Sequence, residues 1–372
     1  MSKNLSTEII KLVESGVKFS DIHITEGEVI CVRGSDVSIT DVDGGGVITR
    51  DDILEFMDEP ARKKKIVLED KISNNEEIDV SVQMEFSGKK VRFRVNLYKS
   101  RERLEMVLRK IDEKIVPLSD LGFGLDTTNR IKDLCNKGQG IIFVTGATGS
   151  GKTTTLGSMI DEINSSHRGK IITIEDPIEV VHEKKMSKVS QREIGVDTLS
   201  FGNALRAALR QDPDVIMIGE IRDRETAEIA LNAALTGHLV LATMHTNDAS
   251  QTIQRFVQMF ESEDRSRIQS ILSAALLAVI SQTLERDVNK NRILISELMI
   301  ANSAIKSSVS NGAYHQIPNL ISESSNTLGN YLMGKKALGL FMEKKISKDV
   351  AKKIIDMSPD AKSLNDQLSR IK

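Results

Sequence analysis

The run "IIFVTGATGSGKTTTL", residues 141–156, decides how this chain folds. Residues 141–145 form a short continuous apolar strand, the kind buried on both faces of a sheet. "GATGSGKT" (146–153) then fits the spacing G-x-x-x-x-G-K-[ST], and a helical stretch over 152–165 follows. Gly146, Gly149 and Gly151 lack a Cβ, so the backbone N–H groups from Gly146 through Ala147, Thr148, Ser150 and on to Thr154 can wrap a phosphate. The helix start adds partial positive charge. Lys152 reaches the β and γ phosphates, and Thr153 offers its hydroxyl to Mg²⁺. The expected ligand is therefore ATP with Mg²⁺.

Outward from this loop, "KIITIED" (170–176), "DVIMIGE" (214–220) and "HLVLATMH" (238–245) are three further apolar strands, with helical stretches at 203–211 and 223–236. The second stretch has an acidic start at Asp223 and a Gly237 stop. Strands alternating with helices predict an α/β fold with a mostly parallel sheet, here a core over 127–285. Residues 1–112 mix one amphipathic helix with alternating segments and read as a smaller α+β domain. Its "DVSVQMEFSGKKVRFRVNLY" (79–98) is a hairpin around the turn "SGKK". "EKIVPLSDLGFGLD" (113–126) is the linker, and 286–372 is mainly helical apart from a strand-like run at 291–300. "ILSAALLAVI" (271–280) is about half the length a membrane span needs and is expected as a buried helix.

Composition narrows the function. A net charge of −2, with 3% aromatic residues, argues against nucleic acid as the main partner, since strand binding uses basic grooves and stacking rings. Cys31 and Cys135 are far apart and read as reduced packing thiols of a cytoplasmic protein. No signal peptide is visible, so contact with a membrane is expected only through partners.

Parallel strands present ligands at their carboxyl ends. "VIMIGEIRD" (215–223) ends its strand in Gly219, where such a strand in a phosphate-binding ATPase usually ends in an aspartate, and Glu220 follows one step late. Glu220 is the candidate that orients or deprotonates water, while Glu175 or Asp176 can hold Mg²⁺ through water. The alternative is that such acids merely cap helices, which suits Asp223 and Glu225 better than Glu220. His238 and His245, seven residues apart in one strand, do not share a face, which argues against a shared metal. His245 can instead hydrogen-bond the γ phosphate or Glu220.

"GATGSGKTTTL", "IITIEDPIEVVH", "SQREIGVDTLSFGNALRAALRQDPDVIMIGEIRD" and "TGHLVLATMHTNDA" together resemble the Walker A, Asp box, Walker B and His box of the secretion ATPase superfamily, closest to the PilT-type pilus motors. The resemblance implies a homohexameric ring whose subunits pair a PAS-like N-terminal domain with a RecA-like P-loop ATPase domain. It matches the catalytic Glu to Glu220, the Asp-box acids to Glu175, Asp176 and Glu179, and the His-box residues to His238 and His245. "VRFRVN" (91–96) matches the strand that carries arginines toward the nucleotide, giving Arg92 and Arg94, with Arg101 or Arg103 as a third. Solvated arginines on a hairpin are the alternative. Partners implied are an inner-membrane platform protein and a pilus or secretion machine, with peripheral placement at the inner membrane.

Two departures from the retraction motors stand out. Their helix reading close to AIRNLIRE is "AIKSSVSN" (304–311) here, and a later threonine-leucine-aspartate is matched by "YLMG", ending in Gly334. Expectations in other directions are an ATPase of a conjugation or type IVB apparatus, a nucleotide-gated assembly factor with little turnover, and a RecA-like nucleic-acid motor.

Overall fold

The computed structural model describes residues 5–34, 38–42, 46–86, 89–111 and 114–371. Its contacts divide the chain into two units: Met1–Lys114 with Pro177–Val181 and Gly195–Asp197, and Ile115–Asp176 with His182–Ile194 and Thr198–Lys372. The two short returns to the first unit lie inside the stretch that the sequence assigns wholly to the ATPase core.

The first unit is built on β1 (Phe19–Thr25), β2 (Cys31–Gly34), β3 (Ile39–Asp41), β4 (Ile78–Phe86), β5 (Lys89–Ser100) and β6 (Arg103–Ile111). They form one sheet in the order β3-β2-β1-β6-β5-β4, antiparallel at every step. Period-two alternation sorts β5: Phe93, Val95 and Leu97 are buried, while Arg94 is exposed on the other face. The buried face meets Ile9 and Leu12 of the helix Leu5–Glu14 and Ile53 and Met57 of the helix Arg50–Lys63. Thr49 and Asp52 start the second of these by exchanging backbone and side-chain hydrogen bonds. Of the expected "SGKK" turn, Ser87 and Gly88 lie outside the described residues.

The second unit holds β7 (Gly140–Thr145), β8 (Lys170–Glu175), β9 (Lys188–Glu193), β10 (Val215–Ile218), β11 (Leu239–Met244), β12 (Leu276–Arg286) and β13 (Arg292–Ile300). The sheet order is β13-β12-β7-β11-β10-β8-β9. Every pairing is parallel except β12 with β13. All residues of β7, β10 and β11 are buried, as expected when helices cover both faces. The flanking helices include Lys152–Ser166, Phe201–Ala208, Arg224–Leu235 and Ala249–Gln258.

One expectation is corrected here. Residues 271–280 are not a single buried helix: the helix Arg265–Ala275 ends, and β12 begins at Leu276. A short apolar run has no periodicity that separates a buried helix from a buried strand. What settles it is the open side of β7, which β12 covers with Val279 opposite Phe143 and Ile280 opposite Val144. The expected boundary at 285/286 accordingly falls inside the β12–β13 hairpin. Beyond it, the helices Met333–Met342, Lys348–Asp356 and Ala361–Arg370 pack Leu338, Ile354 and Leu364 around Ile295 of β13. Gly334 is forced by this packing: a Cβ there would lie 2.7 Å from both Leu364 and Ser358.

At its margins the sheet ends in two different ways. β9 is polar, reading "KVSQRE", and β13 is bridged at Leu298 by Tyr331.

Candidate active site

The phosphate loop follows β7 directly. Gly146, Gly149 and Gly151 all have positive φ, at 147°, 79° and 88°. At Gly146 space is lacking as well, since a Cβ would come within 2.2 Å of the Gln282 carbonyl oxygen. Gly151 sits at the N-cap of the helix Lys152–Ser166, and no side chain caps that end, so its first N–H groups point into the loop. Ser150 Oγ is buried without a protein partner. These are the features of a cradle for an anion. Lys152 Nζ donates to the carbonyls of Gly146 and Ala147 at 2.8 and 3.0 Å.

A residue that the motif does not contain braces the loop. Gln282 of β12 donates through Nε2 to the Ser150 carbonyl at 2.7 Å and accepts from Thr155 Oγ1 at 2.9 Å. Next to it, Thr145 Oγ1 donates to Ser281 Oγ at 3.0 Å. Sequence reasoning missed Gln282 because its segment was expected to follow a helix rather than lie beside β7. The available signal was a glutamine within a long apolar run.

The other strand tips line up beside the loop. Met244 pairs with Thr145 and Ile218 with Ala242, so His245 and Glu220 emerge on the loop's side of the sheet. Glu220 stands two strand positions from β7, about 10 Å away at ordinary strand spacing. His245 Nε2 lies 3.2 Å from one Glu220 oxygen, and Arg222 Nη2 lies 2.6 Å from the other. Burial alone would raise the Glu220 pKa; the Arg222 hydrogen bond and the charges of His245 and Arg222 outweigh it and hold the carboxyl below its usual range. The group is therefore ionised at neutral pH and suited to orienting water. Arg222 was not among the expected site residues, although it lies two residues from the acid.

Gly219 has a steric cause. A Cβ there would lie 3.1 Å from the Ile174 carbonyl and 3.4 Å from the Glu175 Cα, because β8 passes closely. The Gly219 N–H donates to that same carbonyl at 2.8 Å, and the Gly219 carbonyl accepts from Thr243 Oγ1. The backbone of β8 thus leaves little room for a side chain at 219, and the acid stands one residue on, at 220.

Glu175 ends β8 buried, its Oε1 accepting from Thr173 Oγ1 at 2.6 Å and Gln191 Nε2 at 3.0 Å. Asp176 is exposed beside it, and Glu179 belongs to the return segment of the first unit. His238 is not brought to the loop. It precedes β11 at the amino end of the sheet, where its carbonyl accepts the N–H of Gly140, roughly 20 Å of strand away from His245. Its Nδ1 is 3.1 Å from the Ala233 carbonyl. In the first unit, Arg92 is buried in β5, Arg94 is ion-paired with Asp79, and Arg103 with Glu28 at 3.2 Å. Arg101 has φ 48° in the two-residue turn between β5 and β6.

A glycine cradle at one strand tip, with a histidine and an ionised glutamate at the next two, defines the class: a RecA-like P-loop ATPase fold. The chain belongs to the Type II/IV secretion system protein family, whose model matches residues 57–335. It is 42% identical over 261 residues to the type IV pilus retraction ATPase PilT of Pseudomonas aeruginosa, covering 70% of this chain and 74% of that one. The crystal structure of the pilus retraction motor PilT with bound ADP superposes with a TM-score of 0.85 at 37% identity, over 98% of this chain and 100% of the other. The Legionella pneumophila ATPase DotB follows with a TM-score of 0.81 at 28% identity, over 94% and 96%. Among the described residues no helix is long and apolar enough to cross a membrane.

Proposed function

We propose that the protein hydrolyses ATP and uses the energy for mechanical work on a type IV pilus, as its retraction or disassembly motor. The observation that carries this reading is Glu220, held ionised by Arg222 and His245 two strands from a complete phosphate loop. The cradle accepts the phosphates through the N–H groups of Gly146–Thr154, Lys152 leaves its loop carbonyls for the β and γ oxygens, and Glu220 orients the attacking water. His245, bonded to Glu220, fixes that carboxylate and senses its surroundings.

Mg²⁺ fits the donors present: the Thr153 hydroxyl, with Asp176 or Glu175 through water, are the hard oxygens it prefers. Bound there, it would neutralise charge on the β and γ phosphates. Among the described residues no three His, Cys, Asp or Glu side chains gather for a metal, but an ion held mainly by phosphate and water requires no such cluster.

On the same reading the working form is a homohexamer at a platform protein of the inner membrane. Arg92 and Arg94, with Arg101 or Arg103, serve the developing phosphate charge, for which a forked, permanently charged guanidinium is suited. Glu179 is assigned to the nucleotide by family resemblance alone, and His238, at the amino end of the sheet, is left out of the assignment. The likeness to DotB supports a second reading, an ATPase of a related secretion apparatus. Phosphate release by the purified chain, abolished in Glu220→Gln, tests the chemistry. Deleting the gene and scoring pilus number and twitching tests the role in the cell. More pili with no twitching supports retraction, and unchanged pili would overturn it.

A further inference from the structure

Glu297 of β13 lies opposite Ser281 of β12 and is 2% exposed. Its Oε1 accepts the backbone N–H of Ala249 at 2.8 Å, and the N–H of Met333 faces the same carboxyl. Ala249 and Met333 each open a helix, Ala249–Gln258 and Met333–Met342. First-turn N–H groups have no acceptor within their own helix, so one buried carboxyl caps one helix start and faces another from a different part of the chain.

The first of these helices leads to the site. It carries Thr252, fully buried, whose Oγ1 is 2.7 Å from Thr246 Oγ1 and 3.5 Å from Thr145 Oγ1. Thr246 follows His245, and Thr145 precedes Gly146. The second helix leads away, into the C-terminal helices packed on Ile295. Asp248, which caps the first helix, and Asp360, which precedes the last, both face Glu297, as does the Tyr331 hydroxyl; Ser281 faces it from β12.

We propose that Glu297 is a positioning residue: it seats the helix Ala249–Gln258 so that Thr252 holds the phosphate-loop strand and the His245 segment in register, and through Met333 it couples the C-terminal helices to that setting. The inference rests on the ATPase reading. Burial, with repulsion from Asp248 and Asp360, pushes the Glu297 pKa up to about 8 against the pull of the Ala249 and Met333 N–H groups, so the group is mainly neutral at pH 7.

The test uses the full-length protein and three variants. Glu297→Ala removes the acceptor. Glu297→Gln keeps an acceptor but cannot ionise. Met333→Pro removes the Met333 N–H together with its half-buried side chain: proline is tolerated at the first helical position, and Leu332 is already extended at φ −80°, ψ 152°, as a residue before proline must be. Glu297→Ala is expected to lower kcat about tenfold with KM for ATP within about twofold, the pattern of a misplaced catalytic group rather than lost binding. Glu297→Gln is expected to restore most of kcat at pH 7 and to remove the decline expected of the wild type as pH rises through about 8, where the carboxyl gains a charge that Asp248 and Asp360 repel. Met333→Pro lowers kcat and speeds amide exchange over Asn247–Gln251, as does Glu297→Ala. If the loss in Glu297→Ala merely tracks the folded fraction by circular dichroism and Gln does not rescue it, the residue is structural only and the proposal fails. Wild-type turnover and exchange in Met333→Pro would sink the link to the C-terminal helices. A wild type that releases no phosphate overturns the ATPase reading itself, while amide exchange still judges the helix seating separately.

Discussion

His245 Nε2 and Glu220 Oε1 stand 3.2 Å apart at the tips of adjacent parallel strands. With Arg222 on the other oxygen, the glutamate is held from two sides in one orientation and one charge state. Glu220→Gln keeps the shape and most of the hydrogen bonding but loses the charge. Turnover should fall at least about 100-fold, the usual scale for a positioned acid–base group. Equilibrium binding of a fluorescent ATP analogue should stay within a few-fold of wild type; persistent phosphate release would remove Glu220 from the chemistry.

Arg222 sets the acid side of the pH profile. Its hydrogen bond and charge help depress the Glu220 pKa, which burial alone would raise. In Arg222→Ala the pKa rises, so the carboxylate is lost at higher pH as acid is added. The acid limb of kcat/KM against pH should move upward while the alkaline limb stays. An unmoved acid limb would show that another group titrates there.

Gly219→Asp puts an acid where many P-loop enzymes have one, and it should be harmful. The new side chain meets the Ile174 carbonyl and Glu175 backbone of β8. A crowding cost of about 1–3 kcal/mol is expected, read as a lower Tm and reduced turnover. Normal stability with higher activity would contradict the steric account of the displaced acid.

Gln282→Leu tests the brace on the phosphate loop. It leaves the Ser150 carbonyl and the Thr155 hydroxyl without their partner, at about 1–3 kcal/mol for each buried group left unsatisfied. ATP affinity should weaken by roughly tenfold or more, measured by isothermal titration. Unchanged affinity would mean the glycines alone hold the loop.

Gly334→Asp restores the acid found in the retraction motors and should loosen the C-terminal helices. Its Cβ has no room between Leu364 and Ser358. Faster amide exchange over 333–370 is the expected pattern, with turnover lowered to the extent that those helices set the site through Met333. Equal exchange in the two proteins would leave the glycine unexplained.

The loop and the three strands bearing Glu175, Glu220 and His245 were legible because each is a short apolar run ending in a polar residue, and parallel topology sends all such ends the same way. β12 was not legible, since Leu276–Ile280 continues the apolar texture of the helix before it and only its partner β7 decides the outcome. β9 was missed for the opposite reason: its charged and polar residues show no strand-like alternation, and its pairing with β8 makes it a strand. Gln282 and Glu297 depend on those unseen elements, so the braces of the site were hidden along with them. His238 shows the limit of motif matching. It belongs to the same box as His245, yet the length of β11 carries it to the other end of the sheet.

The margins of the seven-stranded sheet bear on how copies of this chain can crowd together. A bare, regular edge invites a neighbour to extend the ladder, the first step toward fibrous aggregation. Here one outermost strand is six residues long with Lys, Arg and Glu among them, and the other has its backbone already engaged at Leu298 by Tyr331. Molecules meeting at high local concentration are therefore steered toward contacts between side chains, which can form and part repeatedly, and away from backbone fusion, which cannot.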